Sequence, residues 1–387
     1  MQPLATPRAL QKQMTASPWF GAVLAFLALY VFLVAVNGLG GGFKLLGGGL
    51  LEGFFRATTN PFLGLIIGLL TTTLVQSSSV TTSLIVAMVA APENPLPIAN
   101  AVPMVMGANI GTTVTNTIVS LAHMGRPDEF RRAFAVATCH DFFNFFAVLT
   151  LLPLELATGY LQKSATWIAS ELAGSVEGVH YHSPIKAAIK AGAKPLHAFA
   201  AFVSDSTHVQ AIVTIAVCGV LIYASLLTLV RLMRTLLRAK VEAAVSRALD
   251  RNPVFAMLIG LVVTAIIQSS SITTSLLVPL GGAGIITLAQ AFPVTIGANI
   301  GTTVTALLAS LAVTGENASA GVAIALVHLL FNLSGTVLIY PVPQIRRLPL
   351  GAARTLADVA VRNRVLALAY VAGLFYLLPM LLAALNH

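Results

Sequence analysis

The chain has 387 residues, of which 57% are hydrophobic and only 9% charged, with a formal net charge of +9. Soluble domains carry charge at roughly a quarter of their positions, so a soluble globular protein is excluded. The apolar runs are too long and unalternating for barrel strands, and backbone polar groups in lipid must be satisfied internally, which leaves a bundle of membrane helices.

Residues 1–59 form an N-terminal segment and a first transmembrane helix. Met1–Pro18 is polar, shows no cleavable signal pattern, and precedes the plain span Phe20–Leu39. A bilayer core of about 30 Å takes about 20 helical residues to cross. Residues 60–156 form a first unit that opens on Asn60-Pro61 and continues into Val75–Val86, VQSSSVTTSLIV. Gly107–Thr115, GANIGTTVT, comes next, then His140, Asp141 and Asn144 within one apolar stretch. Residues 157–251 are a connector with an amphipathic segment, the span Ala211–Val230 and a basic loop. Residues 252–342 repeat the first unit: Asn252-Pro253, then IQSSSITTSLLV at Ile267–Val278, GANIGTTVT at Gly297–Thr305, and His328 and Asn332. Residues 343–387 hold a basic loop and the C-terminal span Arg364–Leu385. Ordered, non-repetitive landmarks recur at a nearly constant offset, so the two units are a duplication. Cys139 and Cys218 fall in apolar runs and suggest neither a disulfide framework nor a zinc site.

Loop charges give the orientation. Six Lys and Arg lie in Arg231–Arg251, five in Arg346–Arg364 and three in Arg126–Arg132, which places these loops on the cytoplasmic side. The counterpart of Arg126–Arg132 in the second unit, Thr314–Ala320, carries no Lys or Arg. Equivalent loops therefore face opposite sides, the inverted-topology construction common among secondary transporters.

The serine runs are the most polar part of their segments. A re-entrant hairpin with its tip at QSSS suits them, because non-helical backbone at membrane depth needs burial in protein or a water-lined cavity. The serines would open the second arm and present free N–H groups at the positive end of its dipole, an anion site. Two such tips could enclose one substrate at the midplane. The competing reading of Ser and Thr is interhelical hydrogen bonding, and that of the glycines in GANIGTTVT is close packing. An Asn between glycines would also suit an unwound segment with oxygen ligands for sodium, and both readings stay open. Asp141 is the exceptional acid within an apolar stretch and hence a functional candidate; its counterpart is Leu329. The two histidines read as hydrogen-bonded packing residues.

The paired stretches QSSSVTTS…GANIGTTVTNTIVSL…FRRAFAVATCHDFFNFFAVLTLLPLE and QSSSITTS…GANIGTTVTALLASL…ALVHLLFNLSGTVLIYPVP resemble the type II sodium–phosphate cotransporters. The resemblance implies an all-α fold of two inverted repeats performing sodium-driven uptake of hydrogen phosphate by alternating access. It makes Ser77, Ser78, Ser79, Ser269, Ser270 and Ser271 phosphate ligands. Gln76, Gln268, Asn109, Asn299, Thr112 and Thr302 become sodium-binding or site-shaping residues, with Asn144 and Asp141 beside them. Ala135, Ala137 and Asp141 match the set of the electrogenic type, in which the acid completes an extra sodium site. The long disulfide-bonded loop of animal members is replaced by the shorter, cysteine-free Thr158–Thr207, and a regulatory C-terminal domain found in some bacterial relatives is lacking. Both departures suggest a compact, multi-pass member of the bacterial inner membrane. The partners expected are inorganic phosphate, sodium as coupling ion and the lipid bilayer, with a homodimer left open and neither nucleic acid nor cofactor. Other readings are sodium-coupled uptake of sulfate or a carboxylate, a passive channel, and an intramembrane serine hydrolase, which would need a base beside its nucleophile.

Overall fold

Asn60 and Asn252 each start a helix in the same way. The Asn60 side chain accepts from the Phe62 and Leu63 N–H groups, the Asn252 side chain accepts from Phe255 N–H at 2.8 Å, and a proline fills the first helical position in both. The protein, as a computed structural model, is described over residues 18–46, 57–174, 184–249 and 252–385, and the regular elements among these are helices. They run α1 Pro18–Leu46, α2 Pro61–Val75, α3 Ser78–Val89, α4 Ile98–Thr112, α5 Val114–Leu121, α6 Pro127–Thr158, α7 Tyr160–Gly174, α8 Pro184–Val203 and α9 Thr207–Leu249. The second half continues with α10 Pro253–Ile267, α11 Ser270–Ser275, α12 Leu277–Gly282, α13 Leu288–Ala312, α14 Ala318–Ile339, α15 Pro343–Arg362 and α16 Arg364–Ala372. A π-helical turn, Gly373–Leu377, leads into α17, Leu378–Leu385. The polar N-terminal stretch through residue 17 and residues 250–251 of the basic loop lie outside the described residues.

Among the described residues six helices are long and apolar enough to cross a membrane: Trp19–Leu45, Pro127–Thr158, Thr207–Leu237, Leu288–Ala312, Ala318–Ile339 and Arg364–Leu385. The three spans read from the sequence coincide with or lie inside the first, third and last of these. Large apolar side chains such as Trp19, Phe26, Leu149, Val220 and Leu377 are exposed. Many polar side chains are buried instead, Asp141 and Asn144 fully. Lipid solvates the apolar exterior, while polar groups at that depth need partners inside the protein. This is a multi-pass membrane protein.

The α2–α4 pair and the α10–α13 pair repeat one packing arrangement. A Cβ on Gly107 would fall on the Leu65 carbonyl and one on Gly68 on the Met104 carbonyl; equally, Gly297 meets the Met257 carbonyl and Gly260 the Val294 carbonyl. The glycines thus bring two backbones together without side chains between them. Of the two readings open for GANIGTTVT, the geometry shows close packing. Helix α13 runs unbroken through Asn299, and α4 persists through Asn109 to Thr112, so the backbone is not unwound at either asparagine.

Around these pairs, α6 packs on α14 and α15, α14 on α7, and α1 on α8 and α9. Helix α15 is basic and polar along one side, with Arg346, Arg347, Arg354 and Arg362, and Arg131 of α6 pairs with its Asp358. Neither α7 nor α8 is among the six long apolar helices.

Overpacking a tight contact costs about 1–3 kcal/mol. Gly297→Ala is expected to lower the thermal midpoint of the detergent-solubilised protein. Gly351→Ala, where a Cβ meets nothing within 4 Å, is expected to leave it unchanged.

Candidate functional site

Each first arm ends at a glutamine in the left-handed region, Gln76 at φ 57° and Gln268 at φ 62°. A non-glycine residue adopts that conformation at a cost, and such residues concentrate at functional sites. Each glutamine side chain folds back onto its own helix, Gln76 Nε2 onto the Thr73 carbonyl and Gln268 Nε2 onto the Ala265 carbonyl. Each amide oxygen then accepts from the last threonine of a GANIGTTVT run: Thr115 Oγ1 to Gln76 at 2.9 Å, Thr305 Oγ1 to Gln268 at 2.8 Å. The break is therefore stapled to α5 in the first half and to α13 in the second.

Beyond each break the chain is extended at Ser77 and Ser269, at φ −153° and −152°, and turns helical again at Ser78 and Ser270. The N–H groups of a first helical turn have no partner within the helix. Ser77 Oγ accepts from Val80 N–H, leaving the Ser78 and Ser79 N–H groups free of intrahelical bonds. In the second half the arm continues from α11 into α12 through Leu276, whose φ −66° and ψ −30° are still helical.

The two runs come together. Ser79 Oγ lies 3.2 Å from Thr305 Oγ1 and 3.5 Å from the Gln268 carbonyl. A cavity of about 200 Å³ is lined by Gln76, Ser77, Ser78, Ser79, Gln268, Ser269, Ser270 and Ser271, eight polar residues from runs about 190 positions apart. Tyr223, Leu226, Leu227 and Val230 of α9, spaced along one helix face, form much of the remaining wall. Among the described residues, no Lys, Arg, Asp, Glu or His lines it.

The other sequence candidates lie elsewhere. Asn109, Asn144 and Asn299 meet in a buried amide cluster with Asn332. Asn299 Nδ2 donates to Asn144 Oδ1 at 2.8 Å and to Asn332 Oδ1 at 2.7 Å, Asn332 Nδ2 donates to Asn109 Oδ1 at 3.2 Å, and Asn144 Nδ2 donates to the Asn109 carbonyl. His140 Nε2 pairs with Asn299 Oδ1 at 3.1 Å. All four amide oxygens are occupied by cluster neighbours that come from both halves. Thr112 and Thr302 return their hydroxyl protons to the Ala108 and Ala298 carbonyls of their own helices. Asp141 forms a third centre, fully buried, where Thr117 Oγ1 at 3.2 Å and Tyr370 OH at 2.8 Å both donate to Oδ2.

Several participants escaped the sequence reading. Asn332 was visible as the counterpart of Asn144, and Thr115 and Thr305 as the ends of the duplicated GANIGTTVT. Asn116 bonds Thr274 and Ser275, tying α5 to α11; it lies just beyond the repeated motif. Tyr370 and Tyr376 sit outside both units, and no periodicity marks them.

Comparison with known proteins adds an independent finding. A family described as Na+/Pi-cotransporter matches residues 31–162 and 205–343. The chain is 35% identical to sodium-dependent phosphate transport protein 2A of Oryctolagus cuniculus, over 91% of this chain and 65% of the relative. It is 34% identical to sodium-dependent phosphate transport protein 2B of Homo sapiens, over 91% of this chain and 63% of the relative. The chain thus spans a little under two thirds of the length of these relatives. No solved structure matches it.

Removing a shared partner from a buried network leaves its neighbours unsatisfied, at about 1–3 kcal/mol each. Asn299→Ala, which strands Asn144, Asn332 and His140 together, is expected to lower the midpoint of chemical unfolding more than Asn317→Ala, which frees only the Ala91 carbonyl.

Proposed function

The chain belongs to the Na+/Pi-cotransporter family, and on that premise we propose that it carries inorganic phosphate across the membrane with sodium as the coupling ion. The observation that carries this reading is the convergence of Ser77–Ser79 and Ser269–Ser271 on one small cavity. Serine hydroxyls and first-turn N–H groups supply donors to an oxyanion, and the positive ends of two helix dipoles point the same way. Among the described residues the cavity offers no cationic side chain, so a divalent anion taken from water into it would lack a counter-charge. Sodium ions arriving with the anion provide that charge. Each then raises the affinity of the other by the same factor, as linkage requires.

Serine hydroxyls of both runs bind the phosphate, and Gln76 and Gln268 at the cavity edge offer amide oxygens to sodium. Asp141 takes a further sodium ion, which makes the cycle electrogenic. Asn109, Asn144, Asn299, Thr112 and Thr302 hold or shape the site in this conformation. Their oxygens become available to sodium in a conformation that opens the amide cluster. Each first arm has 15 residues, about 22 Å at 1.5 Å per residue, which is short of a 30 Å core. That length supports re-entrant hairpins within two inverted units, residues 60–156 and 252–342, rocking about a fixed site. The remaining segments, 1–59, 157–251 and 343–387, frame the units. The short connector supports placement in a bacterial inner membrane, and a homodimer is the assembly to test first. Among the described residues the serines have neither histidine nor carboxylate beside them in the cavity, which disfavours hydrolysis.

The test is uptake of radiolabelled phosphate into proteoliposomes under an inward sodium gradient, with sulfate and dicarboxylates as competitors. Stronger competition by a carboxylate than by unlabelled phosphate overturns the substrate. Loss of a hydrogen bond to a charged group costs about 1.5–3 kcal/mol, so Ser78→Ala and Ser270→Ala are each expected to weaken phosphate binding about tenfold or more while the protein remains folded. Asp141→Gly is expected to retain uptake and to lose net charge movement, read as transport current in the same vesicles.

A further inference from the structure

Asp141 presents its two carboxylate oxygens unequally. Oδ2 accepts from both Thr117 and Tyr370, whereas Oδ1 is buried without a hydrogen-bond partner. The two donors differ in commitment. The Thr117 hydroxyl also faces the Thr113 carbonyl at 3.5 Å, so its one proton is divided between two acceptors. The Thr113 hydroxyl also hydrogen-bonds the carboxylate, but it faces the Ile110 carbonyl at 2.9 Å as well, so its one proton is divided in the same way. The Tyr370 phenol, at 2.8 Å, has the carboxylate alone.

The phenol is also held rigidly. Its ring meets Phe134 edge-on at 6.3 Å and Phe375 edge-on at 5.9 Å. Tyr370 precedes the π-helical turn Gly373–Leu377, and Tyr376 within that turn accepts from Gln76 Nε2 at 3.3 Å. Single π turns inside α-helices recur at functional sites. The C-terminal span therefore touches both the Asp141 centre and the first glutamine break, although it lies outside residues 31–162 and 205–343, the part matched by the family. No counterpart of this contact exists in the second half, where Leu329 replaces the acid.

We infer that Tyr370 is a positioning residue for cation binding at Asp141: its phenol fixes Oδ2 so that Oδ1 remains turned toward the ion. This rests on the reading that Asp141 takes a sodium ion. A carboxylate held by a single committed donor keeps one rotamer, and an ion meeting it does not bear the entropy of ordering it. Without the phenol, only the shared protons of Thr117 and Thr113 restrain the group. Sodium affinity at this centre then falls, while the serine cavity, built from other residues, is left as it was.

The experiment measures sodium activation of phosphate uptake, and phosphate KM at saturating sodium, for the wild-type chain in proteoliposomes and for Tyr370→Phe, Thr117→Val, Asp141→Gly and Tyr370→Phe/Asp141→Gly. Tyr370→Phe is expected to raise the half-activating sodium concentration about tenfold, the loss of one hydrogen bond to a charged group, with phosphate KM within about twofold of wild type on the same principle. Thr117→Val is expected to shift it less. In the Asp141→Gly background Tyr370→Phe is expected to add no shift, the non-additivity of two residues acting through one contact. An equal shift in both backgrounds, a rise in phosphate KM as large as that in sodium, or wild-type sodium activation in Tyr370→Phe overturns the positioning role. Wild-type sodium activation and charge movement in Asp141→Gly instead overturn the sodium site itself, whatever Tyr370→Phe does.

Discussion

A helix that stops at membrane depth strands its last carbonyls and the next helix's first N–H groups where no water reaches them. At Gln76 and Gln268 the chain meets this constraint by putting a glutamine in the left-handed region, folding its amide back onto the preceding helix, and fastening its oxygen to Thr115 or Thr305. The following serine is extended and opens a new helix. What results is a pair of interrupted helices whose serine runs both line one cavity. The strain of a positive φ at a non-glycine residue is held by these bonds.

The donors need a stable floor, and the glycine contacts provide it. Gly68 and Gly107 in the first half, and Gly260 and Gly297 in the second, let each broken helix lie backbone against backbone on its neighbour. Between those two pairs sits the amide cluster, where Asn299 of the second half bonds Asn144 of the first and Asn332 reaches back to Asn109. Hydrogen bonds of this kind in membranes are worth about 0.6 kcal/mol each, so the cluster joins the halves firmly without making their separation prohibitive.

The two halves are alike where they build the serine cavity and unlike where charge enters. Asp141 has no equivalent, and the helix that restrains it comes from outside the duplication. The serine cavity draws its hydroxyls from both halves, whereas the Asp141 carboxylate is contributed by the first alone.

Membrane character, the duplication, the helix starts at Asn60-Pro61 and Asn252-Pro253, and the serine runs as the polar centre were all legible from residue order. These depend on composition, local capping and hydrophobic length, which are properties of contiguous residues. The same signals left close packing and an unwound backbone both open at Asn109 and Asn299; both stay helical, because the flanking glycines answer to a neighbouring backbone that no local pattern reveals. Sequence assigned the serines to phosphate, the glutamines, asparagines and threonines to sodium or to shaping the site, and Asp141 to an extra sodium ion. Only the tertiary structure shows the glutamines lining the serine cavity and the asparagines bonded to one another in a separate knot, because which side chains share a partner depends on how α4, α6, α13 and the C-terminal span cross. Tyr370 belongs wholly to that second kind of information: its hydroxyl matters because a helix 229 residues away in the chain carries an acid near its middle, and residue order alone contains no trace of that meeting.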